Sequence, residues 1–293
     1  MSDTPMVSVL VTVYNREQYL DACLSSILSS SFQDFEVVVV DDGSTDRSVE
    51  IAERFARTDS RVRAFRNEKN LGDYPNRMRA AELARGTYIK YLDSDDLIYP
   101  HGLDVMVQAM SAKPNAVLAL SHSRPEEAEP YPWELSPAEA WRKQFLGDGC
   151  MGCGPSGAII RRAEFFEAGG FGAWGVLSDT DMWFRMSARW PIVLLPPGLV
   201  WWRRHENQEF SKDHASRRYL ENGFALTVKT LATSENPMTE QETRMATERA
   251  RQHHARRLLA LSLGSGRPLT GLRMWRSAGL GWRDIAKGLR SYQ

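Results

Sequence analysis

The sequence predicts an α/β fold with a mainly parallel central sheet flanked by helices, followed by a C-terminal helical extension. Short β-branched runs, such as residues 7–13, alternate with segments whose apolar residues recur at helical spacing. These runs are almost entirely apolar, which is typical of strands covered on both faces. Beyond about residue 212 only helical patterns remain.

The predicted elements follow in chain order. Strands are expected at residues 7–13, 35–40, 62–65, 88–92, 116–120, 158–161 and 200–204. Helices are expected near residues 20–28, 49–55, 76–84, 103–110, 141–146 and 181–190. The Pro- and Glu-rich residues 123–137 and the glycine-rich residues 147–157 are expected to form loops.

The composition narrows the class of protein. The 293 residues are 42% hydrophobic and 25% charged, as in ordinary globular proteins. A net charge of zero argues against a general nucleic-acid binder, although residues 212–293 carry an excess of about eight positive charges. Without a signal peptide or an apolar run long enough to span a membrane, the expected location is the cytoplasm, free or at the inner membrane face.

The three cysteines do not predict a disulfide framework. Cys150 and Cys153 have the spacing of a zinc or redox pair, but a structural zinc site needs four ligands. We see no second pair, so ordinary loop cysteines are the preferred interpretation.

Polar clusters follow three of the predicted strands at residues 12–15, 41–42 and 93–96. In parallel sheets, ligands bind beyond the carboxyl ends of the strands. Three such clusters on one edge of the sheet therefore predict a ligand site there.

The cluster at Asp93, Asp95 and Asp96 predicts a divalent cation site. Carboxylates so close repel one another unless a cation joins them, and Mg²⁺ or Mn²⁺ binds one or two carboxylates together with water and phosphate oxygens. The alternative is an acidic turn that caps the helix after Pro100.

The clusters after the first two strands predict contacts with a nucleotide. Asp42 has the position of an acid that accepts hydrogen bonds from a base or ribose, while Ser44 or Asp46 can cap the following helix. Tyr14 has a ring for base stacking and Thr12 a hydroxyl donor, whereas Asn15 also suits a helix cap. The glycine-rich NAD and ATP signatures are missing from the sequence.

These motifs together resemble those of family 2 glycosyltransferases of the GT-A fold. They are the run at residues 7–15, the turns at 41–44 and 70–72 and the segment 91–96, followed more loosely by 169–171, 178–185 and 203–205. The resemblance implies a catalytic domain over residues 1–211, with donor binding in 1–122 and the acceptor part in 123–211. Residues 212–293 would be the helical extension.

The resemblance also implies the donor site of an enzyme that uses a nucleotide sugar. It places Thr12, Tyr14, Asn15 and Asp42 near the nucleotide, with UDP as the default. Arg77 falls where the family often has an Arg–Asn pair, and Met78 here replaces the Asn. Asp93, Ser94 and Asp95 match the DxD motif that binds metal and diphosphate. His205 is a candidate metal ligand or a surface histidine. Arg203 and Arg204 are candidate phosphate contacts, of which one is expected to face outward.

In the family, the base that deprotonates the acceptor hydroxyl is the Asp of a Glu-Asp pair at the start of a helix. Here the pair is Ser178-Asp179, so Asp179 is the candidate base and Asp181 the fallback. The alternative is a capping box formed by Ser178 and Asp181. Trp174, near two glycines, is the candidate for stacking on the acceptor.

Residues 275–289 predict an amphipathic helix with tryptophans on one face and basic residues on the other. Such a helix binds anionic membranes, or packs on its own domain or a second subunit. We expect a sugar transfer to a glycan or glycolipid, with a nucleotidyltransferase and an inactive sugar-nucleotide-binding module as the alternatives.

Overall fold

The computed structural model describes residues 4–121, 129–205, 217–264, 274–276, 278–281 and 283–284. The chain divides into two compact units. The first comprises Met1–Pro137 and Cys150–His205, and the second comprises Ala138–Gly149 and Glu206–Gln293. Residues 138–149, which we expected in the first domain, thus group with the second unit. The expected boundary at residue 211 lies outside the described residues.

The first unit contains ten strands and six α-helices within the described residues, and the helix that begins at its residue Pro137 belongs to the second unit. The strands are β1 (Val7–Val13), β2 (Phe35–Asp41), β3 (Val62–Arg66), β4 (Tyr88–Tyr91), β5 (Leu97–Ile98), β6 (Leu118–Ser121), β7 (Trp133–Leu135), β8 (Ala158–Arg161), β9 (Ile192–Leu195) and β10 (Val200–Trp201). The helices are α1 (Leu20–Leu28), α2 (Ser48–Thr58), α3 (Asp73–Leu83), α4 (Gly102–Ala112), α5 (Pro137–Phe145), α6 (Arg162–Glu167) and α7 (Ser178–Arg189).

Eight strands form one sheet in the order β3-β2-β1-β4-β8-β6-β9-β7. The strands β3, β2, β1 and β4 are parallel, as are β6 and β9, while β8 runs antiparallel between β4 and β6. Edge strand β7 is also antiparallel. The prediction of a mainly parallel sheet flanked by helices is confirmed.

The core of this unit surrounds the two central strands of the parallel half. All seven residues of β2 are buried, and six of the seven in β1. Helices α1 and α4 add buried apolar residues to the same cluster, including Leu24 and Met106. Burial on both faces explains why these strands lack an alternating polar pattern.

Several predicted boundaries were wrong. Strand β7 lies within the segment predicted as a loop, and β9 was not predicted. Strand β10 ends at Trp201 rather than residue 204, because only two residues pair with β5. Helices α3 and α7 each begin three residues earlier than expected, so they include Asp73 and Ser178.

The second unit is helical in the described residues. Besides α5 it contains α8 (Arg217–Leu231) and α9 (Glu240–Gly264). A small apolar cluster forms its core, with Leu220, Ala255, Leu258, Met274 and Leu280 buried. No helix in the described part of the chain is long and apolar enough to cross a membrane. Most of the predicted amphipathic helix at 275–289 lies outside the described residues.

Candidate active site

The strand order brings the three predicted polar clusters together. Strands β2, β1 and β4 are neighbours and run parallel, so the loops that follow them leave the same edge of the sheet. These loops carry residues 42–47, 14–19 and 92–96. The physical basis for the predicted site, convergence at the carboxyl ends, is therefore present in the fold.

Asn15 links the loop after β1 to the loop after β2. Its backbone has a φ of 52°, in the left-handed region that Asn tolerates better than most residues. Its side-chain oxygen accepts a hydrogen bond from the Thr45 N–H at 2.9 Å, and its own N–H donates to Ser44 Oγ. Helix α1 has no side-chain cap, so the alternative that Asn15 caps it is wrong. Tyr14 beside it is 47% exposed and has a face open for stacking.

Asp42 is buried and holds the loop before α3. Its carboxylate accepts hydrogen bonds from the N–H groups of Leu71 and Gly72, both at 2.9 Å, and from Asn67 at 2.8 Å. Asp46 accepts a hydrogen bond from the Ser48 N–H in the first turn of α2, but the N-cap residue of this helix is Arg47, so neither Ser44 nor Asp46 occupies the capping position. The visible role of Asp42 is therefore to position this loop, and its contact with a nucleotide stays a prediction.

The acidic turn at residues 93–96 is contacted by side chains from three other segments. Asp93 Oδ1 lies 2.8 Å from Arg77 Nη2. Asp95 Oδ2 lies 2.8 Å from His205 Nε2 and 3.3 Å from Arg16 Nε. Helix α4 begins at Gly102 without a side-chain cap, so the alternative that this turn caps α4 is wrong.

Asp96 is the most buried acid of the turn. Its Oδ1 accepts a hydrogen bond from the Arg203 N–H at 3.1 Å. Burial, and next the negative charge of Asp93, raises the pKa of Asp96 to about 7. Ser94 is also buried, with 5% of its surface exposed. Asp93 and Asp95 are therefore the more accessible acids of the turn.

The donor set fits a divalent cation only in part. Among the described residues, no three His, Cys, Asp or Glu side chains are grouped to hold a metal. Asp95 and His205 approach within 2.8 Å, whereas Asp93 is paired with Arg77. Because Mg²⁺ and Mn²⁺ often keep water and substrate phosphates as ligands, two protein ligands suffice. Asp95 and His205, with Asp93 as a further candidate, are the residues that would hold the ion. In the described residues, no third ligand joins Cys150 and Cys153 in a zinc site.

Of the two adjacent arginines, Arg203 faces the acidic turn and Arg204 faces the solvent. Arg203 Nε donates to the Asp95 carbonyl at 2.8 Å, and its guanidinium lies 4.7 Å from the Trp201 ring centroid. Arg204 is exposed, 5.0 Å from the ring of Trp202. The side chain against the acidic turn is thus Arg203, and Arg204 is the one of the two candidates that faces outward. Contact of Arg204 with a phosphate stays a prediction.

Lys90, another residue not predicted, lies beneath the turn. It is fully buried, and its Nζ donates to the carbonyls of Tyr91, at 2.6 Å, and Ser156. Ser156 Oγ in turn accepts a hydrogen bond from the Asp93 N–H at 3.0 Å. Burial lowers the pKa of Lys90 to about 8. In the sequence, the signal for Lys90 was its position inside an apolar strand that is followed directly by acidic residues.

The two candidate bases differ in their surroundings. Asp179 opens α7, and its Oδ1 accepts a hydrogen bond from the Thr180 N–H at 2.6 Å. Burial raises the pKa of Asp179 to about 6. Asp181 instead forms an ion pair with Arg185 at 2.9 Å, and Arg185 also donates to the Gly170 carbonyl at 2.6 Å. Asp179 is therefore the acid with the raised pKa, whereas Asp181 is engaged in an ion pair, and the assignment of either one as the base stays a prediction.

The predicted capping box at the start of α7 does not form. Ser178 Oγ donates to the carbonyls of Gly172 and Gly175, at 2.7 and 2.8 Å, and accepts from the Trp174 N–H. These bonds fix the turn that carries the Trp174 ring, which is partly exposed. Stacking of Trp174 on an acceptor stays a prediction.

Arg77 lies between the acidic turn and Asp179. It is 8% exposed and contacts Asp93 and Asp73, each at 2.8 Å. Its positive charge also lowers the pKa of Asp179 against the larger effect of burial. Met78, at the position of the family's Asn, packs its sulfur 3.3 Å from the Phe171 nitrogen. Its role is packing under the 169–171 turn.

Comparison with known proteins identifies the family. The model of glycosyl transferase family 2 matches residues 8–166, more than half of the chain. The chain belongs to glycosyl transferase family 2. Among the family 2 proteins it resembles, the putative glycosyltransferase EpsH of Bacillus subtilis is 38% identical over 116 residues. That match covers 40% of this chain and only 33% of EpsH.

Solved structures confirm the GT-A fold of this family 2 protein. The crystal structure of S. aureus TarS 1–349 in complex with UDP-GlcNAc matches with a TM-score of 0.71 and 21% identity. It covers 93% of this chain and 79% of that one. The mannosyltransferase PcManGT from Pyrobaculum calidifontis, in complex with GDP-Man and Mn²⁺, matches with a TM-score of 0.63 and 18% identity. It covers all of this chain and 89% of that one.

The family 2 match contains one part of the site and not the other. It includes Thr12, Asp42, Arg77 and the acidic turn, whereas Asp179 and His205 lie beyond residue 166. The structure brings both of these residues to the matched part: His205 contacts Asp95, and Arg77 acts on Asp179.

Proposed function

We propose that this family 2 protein is an inverting glycosyltransferase. It moves a sugar from a nucleoside-diphosphate donor to a hydroxyl of a glycan or glycolipid. One observation carries the proposal: Asp179, with a pKa of about 6, shares its neighbour Arg77 with the acidic turn. A carboxylate whose pKa lies near the working pH suits a general base.

The proposed reaction is a single displacement at the anomeric carbon. The Asp179 carboxylate takes the proton of the acceptor hydroxyl, and the oxygen attacks C1 as the bond to the nucleoside diphosphate breaks. A divalent ion, when held at Asp95 and His205, supplies Lewis-acid stabilisation of the diphosphate. Arg16 and Arg203 add positive charge beside the same turn. The base and the charged turn then act on opposite faces of C1, which gives inversion.

The donor contacts follow from this assignment. Thr12, Tyr14, Asn15 and Asp42 would surround the base and ribose, and Asp93, Ser94, Arg77 and Arg204 the diphosphate and sugar. UDP is the default nucleotide from the resemblance. TarS is described with UDP-GlcNAc and PcManGT with GDP-Man, so the nucleotide is best determined by experiment.

The remaining proposals concern the parts outside the donor site. Residues 123–211, with Trp174 as a stacking platform, would select the acceptor, and residues 212–293 would form a separate helical extension. Contact of that extension with the inner membrane face or with a second subunit is proposed from its predicted basic, Trp-containing helix.

The alternatives receive less support. A nucleotidyltransferase would need a glycine-rich phosphate loop after β1, where this chain has Asn15-Arg16. An inactive binding module would have no need of a buried acid with a raised pKa beside Arg77. Release of a nucleoside diphosphate from a sugar donor distinguishes a glycosyltransferase from both of these alternatives.

The test is a panel of UDP-, GDP-, dTDP- and CMP-sugars with Mg²⁺, Mn²⁺ or EDTA. Binding is measured by calorimetry and turnover by release of the nucleotide. We expect ion-dependent binding of one donor class, and its loss in Asp95→Asn. Asp104→Asn removes an acid of α4 that contacts Gln108 and is the matched control. Ion-independent binding, or none, would overturn the proposal.

A further inference from the structure

The first turn of α3 lies between the acidic turn and the candidate base. Tyr74 and Arg77 are three residues apart, which places them on one face of a helix. Arg77 contacts Asp93 at 2.8 Å, and Tyr74 Oη lies 3.3 Å from the backbone nitrogen of Asp179. One helical turn thus contacts two acids that are 86 positions apart in the sequence.

The Tyr74 hydroxyl has two partners in Asp179. It accepts a hydrogen bond from the Asp179 N–H, and it also interacts with the Asp179 carboxylate in a way that lowers the pKa of that acid. A phenol can do both because its oxygen accepts while its proton donates. Burial raises the pKa of Tyr74 itself, so the hydroxyl keeps its proton over the working pH range.

The ring of Tyr74 is held on both sides. The edge of Phe171 packs against it, with 5.0 Å between centroids and 72° between planes. The guanidinium of Arg77 lies 5.6 Å from its centroid. With the ring held in this way, the hydroxyl has little freedom to leave Asp179, which is what precise positioning of a base requires.

Besides burial, three residues from two helices act on the pKa of Asp179. Burial is the largest influence on its pKa and raises it to about 6. The Thr180 N–H from α7, the charge of Arg77 and the hydroxyl of Tyr74 from α3 each lower it. Cys153, from the loop before β8, is protonated, because burial raises its pKa to about 12. Tyr74 is therefore a neutral hydrogen-bonding contact of the carboxylate, in contrast to the charged Arg77.

We propose that Tyr74 is a positioning residue that fixes the direction of the Asp179 carboxylate relative to the acidic turn. The inference rests on the proposed function, in which Asp179 is the base. Tyr74 need not touch the substrate. It acts through Asp179, while Arg77 on the same turn keeps Asp93 in place.

The test is Tyr74→Phe, which keeps the ring and removes only the hydroxyl. We expect kcat to fall about 10-fold with an unchanged KM for the donor, because misplacement of a catalytic group slows the chemical step. The acidic limb of the pH profile of kcat/KM should move to higher pH, since a hydrogen bond that stabilises the carboxylate is lost.

Tyr91→Phe is the matched control. Tyr91 is also buried, and its hydroxyl donates to the Arg77 carbonyl at 2.9 Å rather than to Asp179. Its removal should leave the acidic limb in place. Wild-type kinetics in Tyr74→Phe, or the same shift of the limb in both variants, would overturn the proposal.

A second measurement does not depend on activity. The pKa of Asp179 can be followed by NMR of its carboxyl carbon in the wild type and in Tyr74→Phe. A higher pKa in the variant supports the contact even if no donor is turned over, in which case only the proposed function has failed. An unchanged pKa overturns the positioning role whatever the enzyme transfers.

Discussion

The two units of this chain bury different kinds of side chain. The first unit buries Asp42, Arg77, Lys90 and Asp96 around the carboxyl ends of its strands. In the described part of the second unit, His254 is the only buried side chain that can carry a charge. Because a buried charge is costly unless it is paired, such groups are retained where they have a task.

Ion pairs in the second unit lie at its surface. Arg142 contacts Glu242 at 2.6 Å, and Arg251 contacts Asp284 at 3.0 Å, with a third to a half of each arginine exposed. Exposed pairs of this kind contribute little, on the order of 0–1 kcal/mol. The first unit therefore buries charged side chains at its proposed site, whereas the described part of the second unit buries mainly apolar side chains.

The strongest test of this contrast is Asp179→Asn. If the buried acids of the first unit serve catalysis, turnover should fall about 10²- to 10⁴-fold, the usual contribution of a general base. Ion-dependent donor binding, measured by calorimetry, should persist. Full activity in this variant would show that the base is another group.

Asp181→Asn is the comparison within the same helix. Asp181 is engaged by Arg185, so its loss should loosen the 168–172 turn and reduce turnover less than Asp179→Asn does. Its pH profile should keep the wild-type acidic limb. If Asp181→Asn were instead the more damaging change, the fallback assignment from the sequence would be the better one.

A second prediction concerns a buried charge of the first unit that is remote from the acidic turn. Glu36 in β2 accepts hydrogen bonds from Ser8, Arg63 and Arg85 at 2.7 to 2.8 Å. Replacing it by Ala leaves these donors without their acceptor and should cost about 3 kcal/mol of unfolding free energy. The KM for the donor should not change.

The pH dependence of this contribution has a defined sign. Burial alone would raise the pKa of Glu36, but the hydrogen bonds from Ser8 and the two arginines outweigh it and leave the pKa lowered. The stabilisation is therefore present above the unfolded pKa of about 4.5 and is lost as the pH falls through the lower folded value. Chemical denaturation should therefore show a smaller difference in unfolding free energy between wild type and Glu36→Ala at pH 3.5 than at pH 7. A constant difference would contradict the assignment.

The sequence carried enough information for the central strands but not for the edge of the sheet. Strands β1 and β2 could be predicted because nearly every residue in them is buried and most are β-branched. Strand β7 is only three residues long, and β9 lies between Pro191 and Pro196, where the prolines indicate a loop. The antiparallel placement of β8 depends on pairing partners distant in the chain.

The residues of the site also divide into those that the sequence could predict and those that it could not. Acids that follow strongly apolar strands were predictable, because strand order is the only further requirement. Tyr74 was not, since its contact with Asp179 joins residues 105 positions apart and no local pattern marks it. For Arg203 and Arg204 the pattern gave two adjacent candidates, and only the end of β10 after Trp201 decides which of them faces the acidic turn.

The smallest expected effect is in the second unit, where the one buried titratable group among the described residues should matter for stability alone. His254 is stacked on Phe224 with 4.2 Å between ring centroids, and burial, with the charge of Arg257 next, lowers its pKa to about 4. As the pH falls below about 6.5, the unfolded chain takes up a proton that the folded chain does not, so stability decreases until the folded pKa is reached.

The melting temperature should therefore drop by several degrees between pH 7.5 and pH 5, and by less in His254→Phe. His101→Gln, in the first unit, should keep the full drop. Donor binding by His254→Phe at pH 7.5 should equal that of the wild type, and a loss of binding there would mean that the second unit shares in the chemistry that we assign to the first.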